Sequence, residues 1–399
     1  LLERAEALAP RNPSVLNAGA VQALHRGDFT SARDLAERAV AADAGNPTFW
    51  INLATSLRKL NLRSEELAAL ERALAIEPRH LVALLQKASL YDLMDERRMA
   101  AKTYHNALQT IPPGAKLPES LRAPIARALK VVDENNAQLE AFLNERLADV
   151  ASTDDRSRFQ HGLDALFGKR RIYNPQPTFL HIPRLPAEEF YAHSAFSWLD
   201  KFESTTAEIR AEFERVYAED VGGLEPYVNH RDSAPLDQWK ELNHSPRWSV
   251  YYLWRDGRPL TQRLARCPVT ASLLADTPKI DIPSVGPTAF FSILDAHSHI
   301  PPHTGVTNTR LIVHVPLVIP AGCRFRVGSQ TREWRPGCAW VFDDTIEHEA
   351  WNDSAAPRAI LIFDVWNPYL TQTERELVRR AVAGIREYYG GASPLAENS

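Results

Sequence analysis

Three widely separated positions carry the side chains best suited to chemistry. The triplet His303-Thr304-Gly305 opens like a metal-ligand motif, but glycine stands where many non-haem iron enzymes place a second ligand, an aspartate. His348 lies in FDDTIEHEAW (342–351), read as a turn that follows a strand and is crowded with carboxylates, and Arg358 follows ten residues later. Two imidazoles can hold a divalent transition metal while leaving coordination positions open. An arginine can grip a small carboxylate through a charge-assisted, often bidentate pair. On its own the triplet reads as half of a metal site, as a broken one, or as a loop.

These side chains need strands to position them. Alternation over residues 310–317 puts Arg310, Ile312 and His314 on one side and Leu311, Val313, Val315 and Leu317 on the other. Polar groups on the inner face of a buried strand need a reason, and an interior that holds a small anion would supply one. Other predicted strands are 248–254, 289–294, 310–319, 323–328, 339–343 and 359–366, short and separated by Gly, Pro, Asn and Asp turns. With no helix interleaved after 280, the pattern predicts an antiparallel jelly roll, closed outside by an amphipathic helix at 371–390.

The first third of the chain has a different periodicity. Pro10, Ala44, Pro78 and Pro112 stand 34 residues apart, as do Ala20, Ala54 and Ala88, and Ala5, Ala39, Ala73 and Ala107. Small residues at fixed helical positions let paired helices approach closely, and proline punctuates the exit from each pair. This pattern resembles the tetratricopeptide repeat, with units at 13–46, 47–80 and 81–114 and a leftover helix at 1–9. Residues 115–180 read as a helical connector, with one or two helices over 119–150 and another over 154–168 before an extended proline-rich run. One helix is expected over 198–219. The predicted fold class is therefore α+β, with an α-solenoid at 1–114, the connector at 115–180 and a jelly-roll domain at 181–399.

Composition narrows the classes of partner. A formal charge of -4 over 399 residues gives no bulk attraction to nucleic acid or anionic lipid. The longest apolar run, 311–320, contains His314 and two prolines and is too short to span a bilayer. Three cysteines (Cys267, Cys323 and Cys338) form no disulfide framework, so a reducing, cytoplasmic setting is expected. The chain starts Leu1-Leu2-Glu3, already helical in pattern and without an initiator methionine, as a fragment or processed product would.

The order histidine, histidine, arginine resembles the layout of iron(II)- and 2-oxoglutarate-dependent oxygenases. More specifically, CPVTASLL (267–274), FSIL (291–294), PHTGVTNTRL (302–311), HVPLVIP (314–320), FDDTIEHEAWND (342–353) and PRAILIFDVWNP (357–368) resemble the aspartyl/asparaginyl β-hydroxylase family. The resemblance implies a double-stranded β-helix domain with His303 and His348 as iron ligands. It implies Arg358 and Ser292 on the distal carboxylate of 2-oxoglutarate, His314 near that molecule's metal-binding end, and Arg310 meeting the substrate. Dioxygen would be the second cosubstrate. In the family's peptide hydroxylases glycine replaces the carboxylate ligand and water fills the position, so Gly305 is the expected residue and Asp344 is placed to anchor that water. This chain departs from animal members in having Phe290 and Ile312 where they carry basic residues.

The implied substrate is the β-carbon of an Asp- or Asn-like residue in a peptide or protein, with the repeat groove as its recruiting surface. Alternatives are hydroxylation of a free amino acid or a lipid-linked acyl chain, and an interaction scaffold with an inactive jelly roll. His297 and His299 are read as loop residues, Asp343 and Glu347 as turn carboxylates, and Trp248 as core.

Overall fold

The computed structural model describes residues 9–112, 114–150, 154–231, 237–282 and 285–389. The expected helix at 1–9 falls almost wholly outside them. Contacts divide the chain into two compact units, residues 1–157 and 158–399.

In the first unit six helices form three pairs: α1 (Pro13–Arg26) with α2 (Phe29–Ala42), α3 (Pro47–Lys59) with α4 (Arg63–Ile76), and α5 (Leu81–Leu93) with α6 (Arg97–Leu108). One pair falls inside each predicted repeat. Asn12 and Asn46 cap α1 and α3 by accepting backbone N–H groups, and Pro13 and Pro47 open those helices where no donor is needed. The turn inside each pair passes through a left-handed residue, Gly27 (φ 79°), Asn61 (62°) and Asp95 (61°), again 34 residues apart. Ala20, Ala54, Ala88, Ala39, Ala73 and Ala107 have no exposed surface, so the small-residue period marks where helices touch. A single long helix, α7 (Glu119–Arg146), packs on α6, and no helix of the described residues is long and apolar enough to cross a membrane.

Helix α8 (Asp154–Leu166) straddles the division between the units. The second unit then adds α9 (Leu199–Ser204) and α10 (Thr206–Glu219), where one helix was expected and the chain breaks at Thr205. Two short helices the pattern did not predict, α11 (Thr261–Arg266) and α12 (Pro268–Ala275), lie between the strand at Trp248–Arg255 and the strands from Ala289 onward, and α13 (Gln372–Tyr388) follows behind a Thr371–Glu374 capping box.

The strands are β1 (Glu225–Pro226), β2 (Trp248–Arg255), β3 (Arg258–Pro259), β4 (Ala289–Leu294), β5 (Ser298–His303), β6 (Arg310–Val318), β7 (Cys323–Val327), β8 (Gln330–Glu333), β9 (Trp340–Phe342), β10 (His348–Asn352) and β11 (Arg358–Trp366). They build a seven-stranded sheet in the order β1-β2-β4-β11-β6-β9, with β3 on β2, and a four-stranded sheet β5-β10-β7-β8. Every ladder is antiparallel and neither sheet closes on itself.

The large sheet has two different faces. Tyr251, Leu253, Phe291, Leu311, Val313, Leu361 and Phe363 point to one side and pack with Leu199, Phe202, Ile209 and Phe213 of α9 and α10. Trp248, Leu294, Phe342 and Ile360 point to the other and pack with Ile300, Phe325, Val327 and Ala350 of the small sheet. The alternation read from 310–317 is the alternation between these two layers.

Candidate active site

His303 ends β5 and His348 begins β10, and the two are direct cross-strand partners. This corrects two expectations: His299 lies in a strand rather than a loop, and His348 opens a strand rather than sitting in a turn. The imidazole centroids are 4.1 Å apart. His303 Nδ1 lies 2.8 Å from the Pro301 carbonyl oxygen and His348 Nδ1 3.0 Å from that of Ile346. A carbonyl can only accept, so each Nδ1 carries the proton and each Nε2 keeps its lone pair, the tautomer suited to metal ligation. Burial holds both rings neutral, pushing His303 down to about 3, aided by His348, and His348 down to about 4.

Gly305 sits beside the pair. Its N–H donates to the Asp344 carbonyl at 2.6 Å. A Cβ placed on Gly305 would overlap the Asp344 carboxylate, so the space a side chain at 305 would use belongs to Asp344. Asp344 is buried, and its Oδ1 has no hydrogen-bond partner. Burial raises its pKa while Arg310 opposes the rise.

Arg358 opens β11 opposite Leu294 and is almost completely buried, yet its Nε and Nη1 have no partner. Its guanidinium lies 4.8 Å from the Trp334 ring, and burial pushes its pKa down to about 10. A buried arginine without an anion is costly, by several kcal/mol. Ser292, two residues from Leu294 on the same face, accepts from Trp248 Nε1 at 3.1 Å. His314 pairs across the sheet with Ile362 and contacts the rings of Phe325 and Phe342. Its Nδ1 is buried without a partner, and burial together with Arg358 drives its pKa well below the ordinary value.

Arg310 is differently placed. It donates from Nη1 to Asp364 at 3.1 Å, and its Nη2 lies 3.5 Å from Asp344. Burial works against its charge, but the two carboxylates carry its pKa above the ordinary arginine value. Burial likewise pushes Asp364 up to about 6 against the pull of Arg310. The residues read as turn carboxylates are also engaged. Asp343 accepts from Thr345, and Glu347 pairs with Arg326 at 2.8 Å.

Sequence reasoning gave no role to Asp364, Tyr227 or Trp239. Asp364 had a signal, a carboxylate in the middle of the apolar strand AILIFDVW that shares the Arg310 face. Tyr227 stacks on Trp248 at 4.2 Å, and Trp239 lies 5.1 Å from the His303 ring. Both come from irregular segments whose pattern carries no positional information. A separate grouping of His193, Asp200 and Glu203 is close enough to hold a cation, but two of the three are exposed.

Residues 203–368 match the family model described as aspartyl/asparaginyl beta-hydroxylase. The chain is 38% identical over 141 residues to human aspartyl/asparaginyl beta-hydroxylase, covering 35% of this chain and 18% of that protein. It is 30% identical over 186 residues to the ornithine lipid ester-linked acyl 2-hydroxylase of Rhizobium tropici, covering 45% of this chain and 60% of that protein. The chain thus spans less than two thirds of the length of these relatives. Its helical part is similar to the TPR domain of Arabidopsis OM64, at 16% identity and a TM-score of 0.27, over 31% of this chain and 95% of that one.

Proposed function

We propose, from the premise that residues 203–368 of this chain belong to the aspartyl/asparaginyl β-hydroxylase family, that the protein is an iron(II)- and 2-oxoglutarate-dependent dioxygenase that hydroxylates a C–H bond. One observation carries the reading: Arg358, buried and stacked on Trp334, has two donor nitrogens with no acceptor. A small dicarboxylate is the occupant that makes such a group affordable.

The residues fit the implied groups. His303 and His348, neutral and with Nε2 lone pairs, would hold the iron. Arg358 would hold the far carboxylate of 2-oxoglutarate with Ser292 beside it, and His314 Nδ1 offers a further polar contact. When bound, iron(II) with dioxygen and 2-oxoglutarate supplies the oxidising power to convert C–H to C–OH, releasing succinate and CO2. The chain's share is placement and exclusion of water. Pro301 and Ile346 carbonyls fix the imidazole planes. Asp344 Oδ1 is a buried acceptor where a water would stand in for the carboxylate that Gly305 lacks. The facing apolar layers keep bulk water from the reacting C–H. The two open antiparallel sheets, packed across one inner layer, support the double-stranded β-helix arrangement. The repeats are assigned to recruiting a peptide or protein substrate.

Hydroxylation of a lipid-linked acyl chain is a second reading, favoured by the name of the Rhizobium tropici relative. Anaerobic addition of iron(II) and 2-oxoglutarate tests the oxygenase itself. A weak visible charge-transfer band should form with the intact protein and be lost in His303→Ala. A band that never forms, or that survives the substitution unchanged, sinks the reading.

A further inference from the structure

The large sheet's inner face distinguishes what the site can accept as substrate. Along β2, β4, β6, β9 and β11 the basic side chains on or beside this face are Arg310, His314, Arg358 and, past the bulge in β2, Arg255, which lies over the Tyr252 ring and is paired with Glu225 at 2.7 Å. None is available to a substrate carboxylate. Arg310 has its charge met by Asp364 at 3.1 Å and Asp344 at 3.5 Å, two acids for one cation, and only its Nε is left without a partner. Arg358 stands at the opposite end of the sheet, since Arg310 pairs with Trp366, eight residues along β11. His314 is neutral. A carboxylate delivered here would meet an acidic surplus in a buried setting.

Between these polar ends runs an apolar strip. Phe290 pairs with Ile362, and Ile312 pairs with Asp364 on the adjoining strand. Ile362 is the only residue of β11 that is not buried, although β11 is central in its sheet. Ile312 on β6 is likewise left partly open. Two branched aliphatic side chains in mid-sheet therefore keep an uncovered surface on the inner face. Tyr227, 5.5 Å from Phe290 and stacked on Trp248, continues this wall, and Trp239 brings it to His303.

We infer that the group presented for hydroxylation is an uncharged hydrocarbon, not the aspartate of the Asp- or Asn-like pair that the sequence suggested. The inference rests on the hydroxylase reading above for its chemistry, and on the wall of Phe290, Ile312, Ile362, Tyr227 and Trp239 for its selectivity. Apolar surface covered by the substrate drives binding, and no cation is left to repay the desolvation of an acid.

Ligand-observed NMR titration of the full chain tests this without turnover. The probes are acetyl-Gly-Leu-Gly-amide, acetyl-Gly-Asp-Gly-amide and octanoyl-glycinamide. The leucine or octanoyl probe should bind at least about tenfold more tightly than the aspartate probe, and the tighter of the two names the source of the hydrocarbon. Ile362→Lys should remove that preference, and Ile312→Arg should weaken it. Circular dichroism and melting temperature establish that each variant is folded. Equal or tighter binding of the aspartate probe, no binding by any probe, or a ratio unmoved in both folded variants overturns the inference. The charge-transfer experiment stays separate: a hydrocarbon preference without the band sinks the oxygenase reading alone, and a band without the preference sinks this inference alone.

Discussion

Each unit packs an arginine against its interior, and they treat it in opposite ways. In the helical unit Arg58 donates to Glu66 at 2.7 Å, to the Gln86 carbonyl at 2.7 Å and to Ser89 at 3.3 Å, and the Glu66 side chain is only 2% exposed. Its charge and its hydrogen bonds are met inside the protein. In the β-unit Arg358 has neither a carboxylate nor an acceptor for Nε or Nη1. Nearby, Arg310 Nε, His314 Nδ1 and Asp344 Oδ1 are also unmatched. Among the described residues of the helical unit, Gln86 Oε1 is the one buried side-chain atom left so. A buried polar group unmatched by protein costs about 1–3 kcal/mol, more when charged. The helical unit spends its polar groups on its own architecture, and the β-unit holds several in reserve for something that is not protein.

That contrast is open to direct attack. The largest effect should come from Arg358→Met, which should weaken 2-oxoglutarate binding at least about 100-fold, as loss of a charge-assisted pair predicts. It should leave the melting temperature unchanged or raised, because an unpaired buried charge has gone. Calorimetry and thermal unfolding on the same sample decide it, and a large stability loss would mean that Arg358 is structural like Arg58.

Next is the pH dependence of Asp343, whose pKa burial pushes up to about 6, against the pull of the Thr345 hydrogen bonds. The folded state then holds its proton more tightly than the unfolded chain, so the Asp343 contribution is lost as pH rises from 4 to 6.5. Stability of Asp343→Asn relative to wild type should climb by on the order of 2–3 kcal/mol across that window. The buried histidines pull the other way in both proteins and cancel in the difference. A flat difference would show that Asp343 is ionised throughout.

The smallest expected effect is Arg58→Met, about 2 kcal/mol of unfolding free energy, because Arg58 retains some solvent contact but leaves Glu66 buried alone. Binding of 2-oxoglutarate should be unaffected. If it falls, the two arginines are not the separate cases their surroundings make them.

Legibility in the sequence followed how local the physics was. The helical period was visible because close packing needs alanine at the same place in every pair, and Ala20, Ala54 and Ala88 satisfy that need without reference to distant residues. Strands such as 310–318 were visible because their two faces meet different layers. β5 was missed because SHIPPH carries two prolines and no alternation; it is an edge strand, where proline is tolerated, and its place is set by pairing with β10. His348 looked like a turn residue because its neighbours are acidic, yet Glu347 and Glu349 are both held by Arg326. The sequence suggested Arg310 as a substrate contact, and only three dimensions reveal that Asp364 and Asp344 already meet its charge through Nη1 and Nη2. Tyr227 and Trp239 had no local signature, since their positions depend on where irregular segments cross the sheet.

The packing of Gly305 against Asp344 also constrains how such a site can change over generations. A carboxylate at 305 cannot enter with its surroundings unchanged, because the incoming side chain would find its space taken by that of Asp344. Residue 344 must swing aside or shrink, and shrinking it would leave no acid at either place. It would also deprive Arg310 of one of its two counter-charges. The two-histidine arrangement is therefore separated from its three-ligand counterpart by a rearrangement at residue 344 as well as a replacement at 305.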